Sequence, residues 1–388
     1  MKRRKNHEGS YGTCVKKGIT YKYYKAPNGH FIYAKTDKEL QIKKKEYERF
    51  QIQNNPGNPL LDSKYTVSKY AHLWLKTKRG QITPHVYDEY ERVIENHITK
   101  YSIGQEEIHY LTPIIVNEFL LQLAAKYSRS TIDKDYLILR QVISHAIDNG
   151  VLNSFNFKKV KKPNEDSVKV KKRDIPFITE DDMEELYKES LDPKYGMGAQ
   201  VVIFIMYSGL RVSEACALQW DCVSKDFSSI QVKRSQVLVS MRDEFGNPIL
   251  NDDGQTKTQL IDKDTKTKSG NRLVPLPQRA KDILQQLYNG QKSGRVFLTA
   301  KGNPFTKDLI RRTLDRMLKN SNCYNKNYTV HSLRHGYGSL LVKKGVDIKI
   351  VSELLGHSDV TTTYNIYIGV LKQDKIDAVK NVFDTQTE

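Results

Sequence analysis

Four short stretches in the second half of the chain hold side chains suited to handling an anion. The first is Tyr207-Ser208-Gly209-Leu210-Arg211-Val212-Ser213-Glu214. A glycine turn leads into a helix with Arg211 in its first turn, and Glu214 shares that face at i+3, placed to orient the arginine or pair with it. The second runs from Lys266 through Thr267, Lys268, Ser269, Gly270, Asn271 and Arg272 to Leu276. Gly270-Asn271 suits a hairpin turn, with Lys266 or Lys268 near its tip. The third, His331-Ser332-Leu333-Arg334-His335-Gly336, places His331 and Arg334 on one helix face. The fourth, Leu354-Leu355-Gly356-His357-Ser358-Asp359, is followed by two tyrosines, Tyr364 and Tyr367. Taken singly, each has an ordinary explanation. An arginine–glutamate pair is usually a surface ion pair, a lysine hairpin an exposed turn, and a histidine on an apolar helix a satisfied structural residue. One tyrosine among 23 says little alone.

These stretches need a scaffold, and the chain reads as three regions. Residues 174–388 open with Thr179-Glu180-Asp181-Asp182, a helix start with acids at the positive end of the dipole. Helices follow, interrupted by a strand-rich section over about 229–276. Residues 64–157 read as four helices. Val67, Tyr70, Ala71, Leu73 and Trp74 recur at helix spacing; Pro84 opens a second helix, Thr112-Pro113 a third, and the fourth, Ser130 to Asn149, ends at Gly150. Residues 1–56 read as short strands, with aromatic and β-branched residues alternating with lysines and turns at Gly18 and Asn28-Gly29. A three-stranded sheet there would show Tyr, Thr and Lys, including Lys22 and Lys25, on an open face. A charged helix over 36–53, with Asp37 able to cap it, ends at Asn54-Asn55-Pro56-Gly57-Asn58-Pro59. Between the second and third regions lies a basic link, Lys158, Lys159, Lys161, Lys162, Lys169, Lys171, Lys172 and Arg173 around Pro163. It reads as a flexible tether able to track a phosphate backbone.

Composition narrows the partner. The 388 residues carry 63 Lys+Arg against 45 Asp+Glu, a net charge of +18. That length points to more than one domain, and that charge to a polyanion, with nucleic acid first. No apolar run is long enough to span a membrane. The basic start, Met1 to Lys5, is followed by no apolar stretch, so no secretory signal is expected. Four cysteines lie apart at 14, 216, 222 and 323, without zinc spacing, which fits a reducing compartment.

In order, the arginine, the hairpin lysine, the His-x-x-Arg, the Gly-His and the tyrosine resemble the tyrosine recombinase (phage-type integrase) family across the whole third region. The first region is similar to the arm-binding domain of integrases from conjugative transposons and temperate phages, and the second to the family's helical, SAM-like core-binding domain. The resemblance implies a multidomain, mainly α protein with small β elements and a mixed α/β catalytic domain. It implies catalytic roles for Arg211, Lys266, His331, Arg334, His357 and Tyr367, with Glu214 and Lys268 supporting. Arg211 and Arg334 would clamp the phosphate, since a guanidinium fork binds two oxygens and stays charged. Tyr367 would attack phosphorus, His331 would take its proton or bind the phosphate, and His357 would hold the phosphate. Lys266 or Lys268 would protonate the leaving 5′-oxygen. Similar integrases place the nucleophile ten residues past the Gly-His histidine, which is Tyr367, and many carry leucine where Tyr364 stands. The pair after the nucleophile, polar then His in the family, reads Ile368-Gly369 here. A tail helix over 372–383, with Ile376, Val379 and Phe383 on one stripe, would dock on its own or a neighbouring subunit. No cofactor or metal is implied. The implied partners are duplex DNA, three further copies of the chain, and an excisionase or DNA-bending protein, at the nucleoid of a bacterial cytoplasm. The other readings are a type IB topoisomerase, a catalytically silent DNA-binding protein on the same fold, and a metal nuclease.

Overall fold

Alternation along three short strands builds the first element of the chain. In the computed structural model, which describes residues 10–16, 19–26, 30–44, 65–171, 176–265 and 270–367, β1 (Ser10–Lys16), β2 (Ile19–Lys25) and β3 (Phe31–Ala34) form an antiparallel sheet in that order. Tyr23 lies opposite both Gly12 and Tyr33. A side chain at Gly12 would strike the Tyr23 ring, so glycine lets that ring lie across β1. Period two sends Tyr24, Ile32 and Ala34 inward, where they meet Leu40 of helix α1 (residues 37–44). Tyr23, Lys25, Phe31 and Tyr33 share the other face, with Lys25 Nζ 5.1 Å above the Phe31 ring.

Two details differ from the sequence reading. Lys22 falls on the helix side of the sheet and pairs with Asp37. Thr36, not Asp37, caps α1, its hydroxyl accepting the Glu39 N–H at 3.2 Å. The turns at Gly18 and Asn28-Gly29 and the break at 54–59 lie outside the described residues.

The helical region follows its apolar spacing. Helices α2 (Val67–Thr77), α3 (Pro84–Val93), α4 (Pro113–Ala124) and α5 (Arg129–Asp148) bury Tyr70, Trp74, Phe119, Leu120 and Leu139 in one core. Thr66 and Thr112 cap α2 and α4 as their hydroxyls suggest. Beyond α3, residues Ile94–Ile98 form a π-turn, in which the Thr99 N–H reaches back to the Ile94 carbonyl at 2.8 Å. The basic link is not a loose tether over its described part. Asn117 brackets it through the Lys159 carbonyl and the Lys161 N–H. Arg129 donates to the Pro163 carbonyl, Lys162 pairs with Asp133 at 2.6 Å, and Val168 is buried in the helical core. The described part of the link belongs to the first of the chain's two compact units.

The second unit is organised by α7 (Met197–Ser208), in which Val201 to Met206 are all buried. A helix apolar all round belongs at a centre. Packed on it are α6 (Glu180–Ser190), α9 (Gln278–Leu287), α10 (Lys307–Lys319) and α11 (Val330–Lys343). The short α8 (Val212–Cys216), α12 (Ile348–Leu355) and α13 (residues 360–367) complete its helices. Four strands sit at one side. β4 (Ser229–Val232) pairs with β7 (Arg272–Pro275), and β5 (Arg234–Ser240) with β6 (Thr258–Asp264). The hairpin expected around Gly270-Asn271 is therefore absent among the described residues. β6 and β7 belong to different sheets, because each finds its partner earlier in the chain.

Candidate active site

Three arginines converge on the end of one helix. α12 stops at Gly356, whose φ of +66° is the left-handed conformation that glycine adopts freely. The last carbonyls of a helix have no partners within it. Here the Leu354 carbonyl accepts from Arg272 Nε at 2.7 Å, the Leu355 carbonyl from Arg334 Nη2, and the Gly356 carbonyl from Arg211 Nη2 at 2.9 Å. Arg334 Nη1 also donates to the Gly209 carbonyl at 2.7 Å, tying α11 to the left-handed turn that ends α7.

Glu214 locks two of the three. Its carboxylate accepts Arg272 Nη2 at 2.8 Å and Arg211 Nη1 at 2.7 Å, and also takes the Arg211 backbone N–H at 2.9 Å. Arg211 is thus the residue just before α8 rather than part of its first turn, and Glu214 orients it from i+3. Burial alone would raise the Glu214 pKa. The Arg272 hydrogen bonds and the charges of Arg272 and Arg211 outweigh it and hold the group at about 2. Its motif in the sequence implies no role for Arg272. The only local signal is strand alternation, and that reads the wrong way: Leu273 faces out while Arg272 and Val274 are buried. Arg272→Met is expected to cost about 3–5 kcal/mol, since it strands a buried carboxylate. The pH dependence has a definite sign. A pKa held near 2, below the ordinary 4.5, stabilises the folded chain above pH 4.5, and this contribution is lost as the pH falls toward 2. Melting temperatures of wild type and Arg272→Met should therefore converge across that window.

The cleft beside this network is lined by Arg211, Ser213, Ser235, Thr265, His357 and Thr362. Positive groups outnumber negative ones among the arginines and Glu214. Burial, with Arg211 next to it, presses the Arg334 pKa downward, a stress that an entering anion relieves. The His357 Nδ1 is 2.8 Å from the Thr363 hydroxyl. Burial, then Arg334 and Arg211, bring the His357 pKa to about 4, so the ring is neutral near pH 7. His331 reaches the surface at the start of α11. The atoms packed around it, then Arg334, Arg211 and Lys307, lower its pKa as well. Lys266 and Lys268 lie outside the described residues, although Thr265 and Gly270 on either side of that segment both line the cleft. Lys172, Arg173 and the tail over 372–383 also lie outside them.

The tyrosines split. Tyr364 is 39% exposed, whereas Tyr367 is fully buried. Tyr367 packs with Val342, Val351 and Leu355, its hydroxyl against Gly338 of α11, where any side chain would collide with it. Burial raises its pKa to about 12, and Arg334 pulls the other way. The structure thus brings Arg211, Glu214, Arg334 and His357 together and docks Tyr367 behind them.

The chain is similar to known proteins over most of its length. Residues 176–374, just over half the chain, match the phage integrase family, and residues 66–124 match the phage integrase N-terminal SAM-like domain. A tyrosine recombinase XerC-like protein of Caldanaerobacter subterraneus subsp. tengcongensis is 27% identical, covering 92% of this chain and 93% of its own length. Among solved structures, the Tn1549 transposon integrase in complex with a circular intermediate DNA superposes with a TM-score of 0.61 at 20% identity, covering 78% of this chain and 95% of the other. A lambda integrase tetramer bound to a Holliday junction gives 0.55 at 13% identity, covering 90% and 96%. The chain belongs to the phage integrase family: it is a tyrosine recombinase, an enzyme of site-specific DNA recombination.

Proposed function

We propose that this chain cleaves and rejoins DNA through a 3′-phosphotyrosine on Tyr367, and so integrates and excises a mobile element. The observation that carries this reading is the convergence of Arg211 and Arg334 on the end of α12, beside the cleft that Arg211 and His357 line, with Tyr367 of α13 docked near Arg334. Main-chain carbonyls and Glu214 fix the two guanidiniums and leave other N–H donors for the nonbridging oxygens of a phosphodiester. Tyr367 leaves its docked position and attacks phosphorus. Its proton passes to neutral His331, and the bond from phosphorus to the 5′-oxygen breaks. Lys266 or Lys268 supplies the proton that the 5′-oxygen takes up. His357 holds the phosphate and the tyrosine segment. Ligation is the reverse, and the phosphotyrosine conserves the bond energy without ATP.

DNA is the partner. Its contacts are assigned to three parts of the chain: residues 1–56 at arm sites, with Lys25 on the open aromatic face of the sheet; residues 64–157 at core sites; and residues 174–388 at the scissile phosphate. The exposed Lys158, Lys159, Lys161 and Lys171, with Lys172 and Arg173, would follow the backbone, while Lys22 and Lys162 already hold carboxylate partners. Four protomers would pair two sites, aided by an excisionase or a DNA-bending protein, at a bacterial nucleoid. Among the described residues no helix is long and apolar enough to cross a membrane.

The test is a DNA from the borders of the encoding element, nicked just downstream of the cleavage site and mixed with the full chain in EDTA. A protein–DNA adduct on a denaturing gel is the expected result. Binding without an adduct would favour a silent DNA-binding protein, cleavage abolished by EDTA a metal nuclease, and relaxation of supercoils by a single protomer a type IB topoisomerase.

A further inference from the structure

Three buried polar atoms on or beneath α11 lack hydrogen-bond partners among the described residues: the Tyr367 hydroxyl, His335 Nε2 and the Ser339 hydroxyl. His335 follows Arg334 on α11, and one residue of helix turns its side chain away from the carbonyls that Arg334 grips. Its ring meets the edge of His331, with centroids 4.4 Å apart. On the Tyr367 side it belongs to an aromatic cluster. The His335 and Tyr367 centroids are 6.3 Å apart at 70°, and Phe177 stands 6.3 Å from one and 6.1 Å from the other. Burial, then His331 and Arg334, lower the His335 pKa to about 4, so the imidazole is neutral and keeps one nitrogen as an acceptor. A phenol hydroxyl is a donor. The Tyr367 hydroxyl and His335 Nε2 are complementary, and such atoms seldom stay unpaired in a folded protein.

We propose that His335 is a positioning residue for the nucleophile: its Nε2 accepts the Tyr367 hydroxyl, directly or through one bridging water, and holds the tyrosine docked beneath α11 until DNA fills the cleft. The importance of this contact to recombination rests on the reading of Tyr367 as the nucleophile. The contact itself does not. Gly338 provides the space, Phe177 the lid, and His335 the polar tie. Release exchanges that tie for Arg334 and the phosphate, so the tyrosine meets its attacking environment only when a substrate is present.

The experiment maps tyrosine nitration by tetranitromethane in the DNA-free full chain, using peptide mass spectrometry, with exposed Tyr364 as internal reference. Wild type, His335→Leu, His335→Gln and His335→Asn are compared, and a thermal melt reports the fold of each. A glutamine amide reaches the place of Nε2, whereas an asparagine amide reaches that of Nδ1. Tyr367 should be protected in wild type and His335→Gln, and modified about tenfold faster in His335→Leu and His335→Asn, the worth of one hydrogen bond. If His335→Leu does not fold, the Gln and Asn pair decides. Equal protection in every folded variant overturns the proposal, as does lost protection in a His335→Gln chain that melts like wild type. Because nitration is read without DNA, failure here is distinct from failure of the nucleophile assignment, which an adduct formed by Tyr367→Phe would reveal.

Discussion

Tyr367→Phe is expected to leave no covalent adduct on nicked DNA, a loss of at least about 10⁴-fold in the rate of adduct formation, whereas Tyr364→Phe should keep most of it. Exposure alone would favour Tyr364. The chemistry favours the buried residue, because the proposed clamp would hold phosphorus at Arg211 and Arg334, and the Arg334 charge already acts on the Tyr367 hydroxyl. Docked, that hydroxyl is a weak acid with a pKa near 12. In the cleft, two guanidiniums and a phosphate replace the apolar wall, and proton loss becomes easier. Tyr367→Phe should also melt slightly below the wild-type temperature, since it removes the hydroxyl proposed to donate to His335 Nε2 and leaves that buried acceptor without a partner. A denaturing gel and a thermal scan check both halves. If only Tyr364→Phe fails to form the adduct, the nucleophile is the other tyrosine.

Arg334→Ala and Arg211→Ala are each expected to slow cleavage by about 10³-fold while duplex binding, read by gel shift, stays within about threefold of wild type. A phosphate clamp acts on charge that develops in the transition state, whereas many basic residues share ground-state DNA binding. Arg334→Lys should recover little. One ammonium cannot span the Gly209 and Leu355 carbonyls and still face a phosphate. Binding that falls as far as cleavage would count against the clamp.

Much of this architecture is written locally and so is legible in the sequence. The caps at Thr112 and Thr179, the apolar stripes of α2 to α5, and the i, i+3 relations of Arg211 with Glu214 and of His331 with Arg334 depend on residues within a turn of each other. What escaped depends on distant partners. Arg272 finds Glu214 58 positions upstream, and nothing near either residue announces it. β7 turns from β6 to β4, so a plausible glycine hairpin is not formed among the described residues. The basic link reads as free chain because lysines usually mean solvent, yet Asn117, Arg129 and Asp133 fasten it from the helical side. The docking of Tyr367 is likewise invisible. Its pocket is made by Gly338 and Phe177, which carry no sign of a hydroxyl between them.

Three guanidiniums gripping successive carbonyls of α12 make that helix end a common hinge-pin. No arginine can be reset by itself: sliding α12 by one residue, about 1.5 Å, would hand each of them the wrong carbonyl at once. The set of three arginines is therefore assembled or dismantled as a unit. Its state is set by the seating of an eight-residue helix that is joined through His357 to the segment bearing Tyr367. Whatever pulls on that segment, whether a neighbouring protomer or the DNA itself, pulls on every cation of the site together.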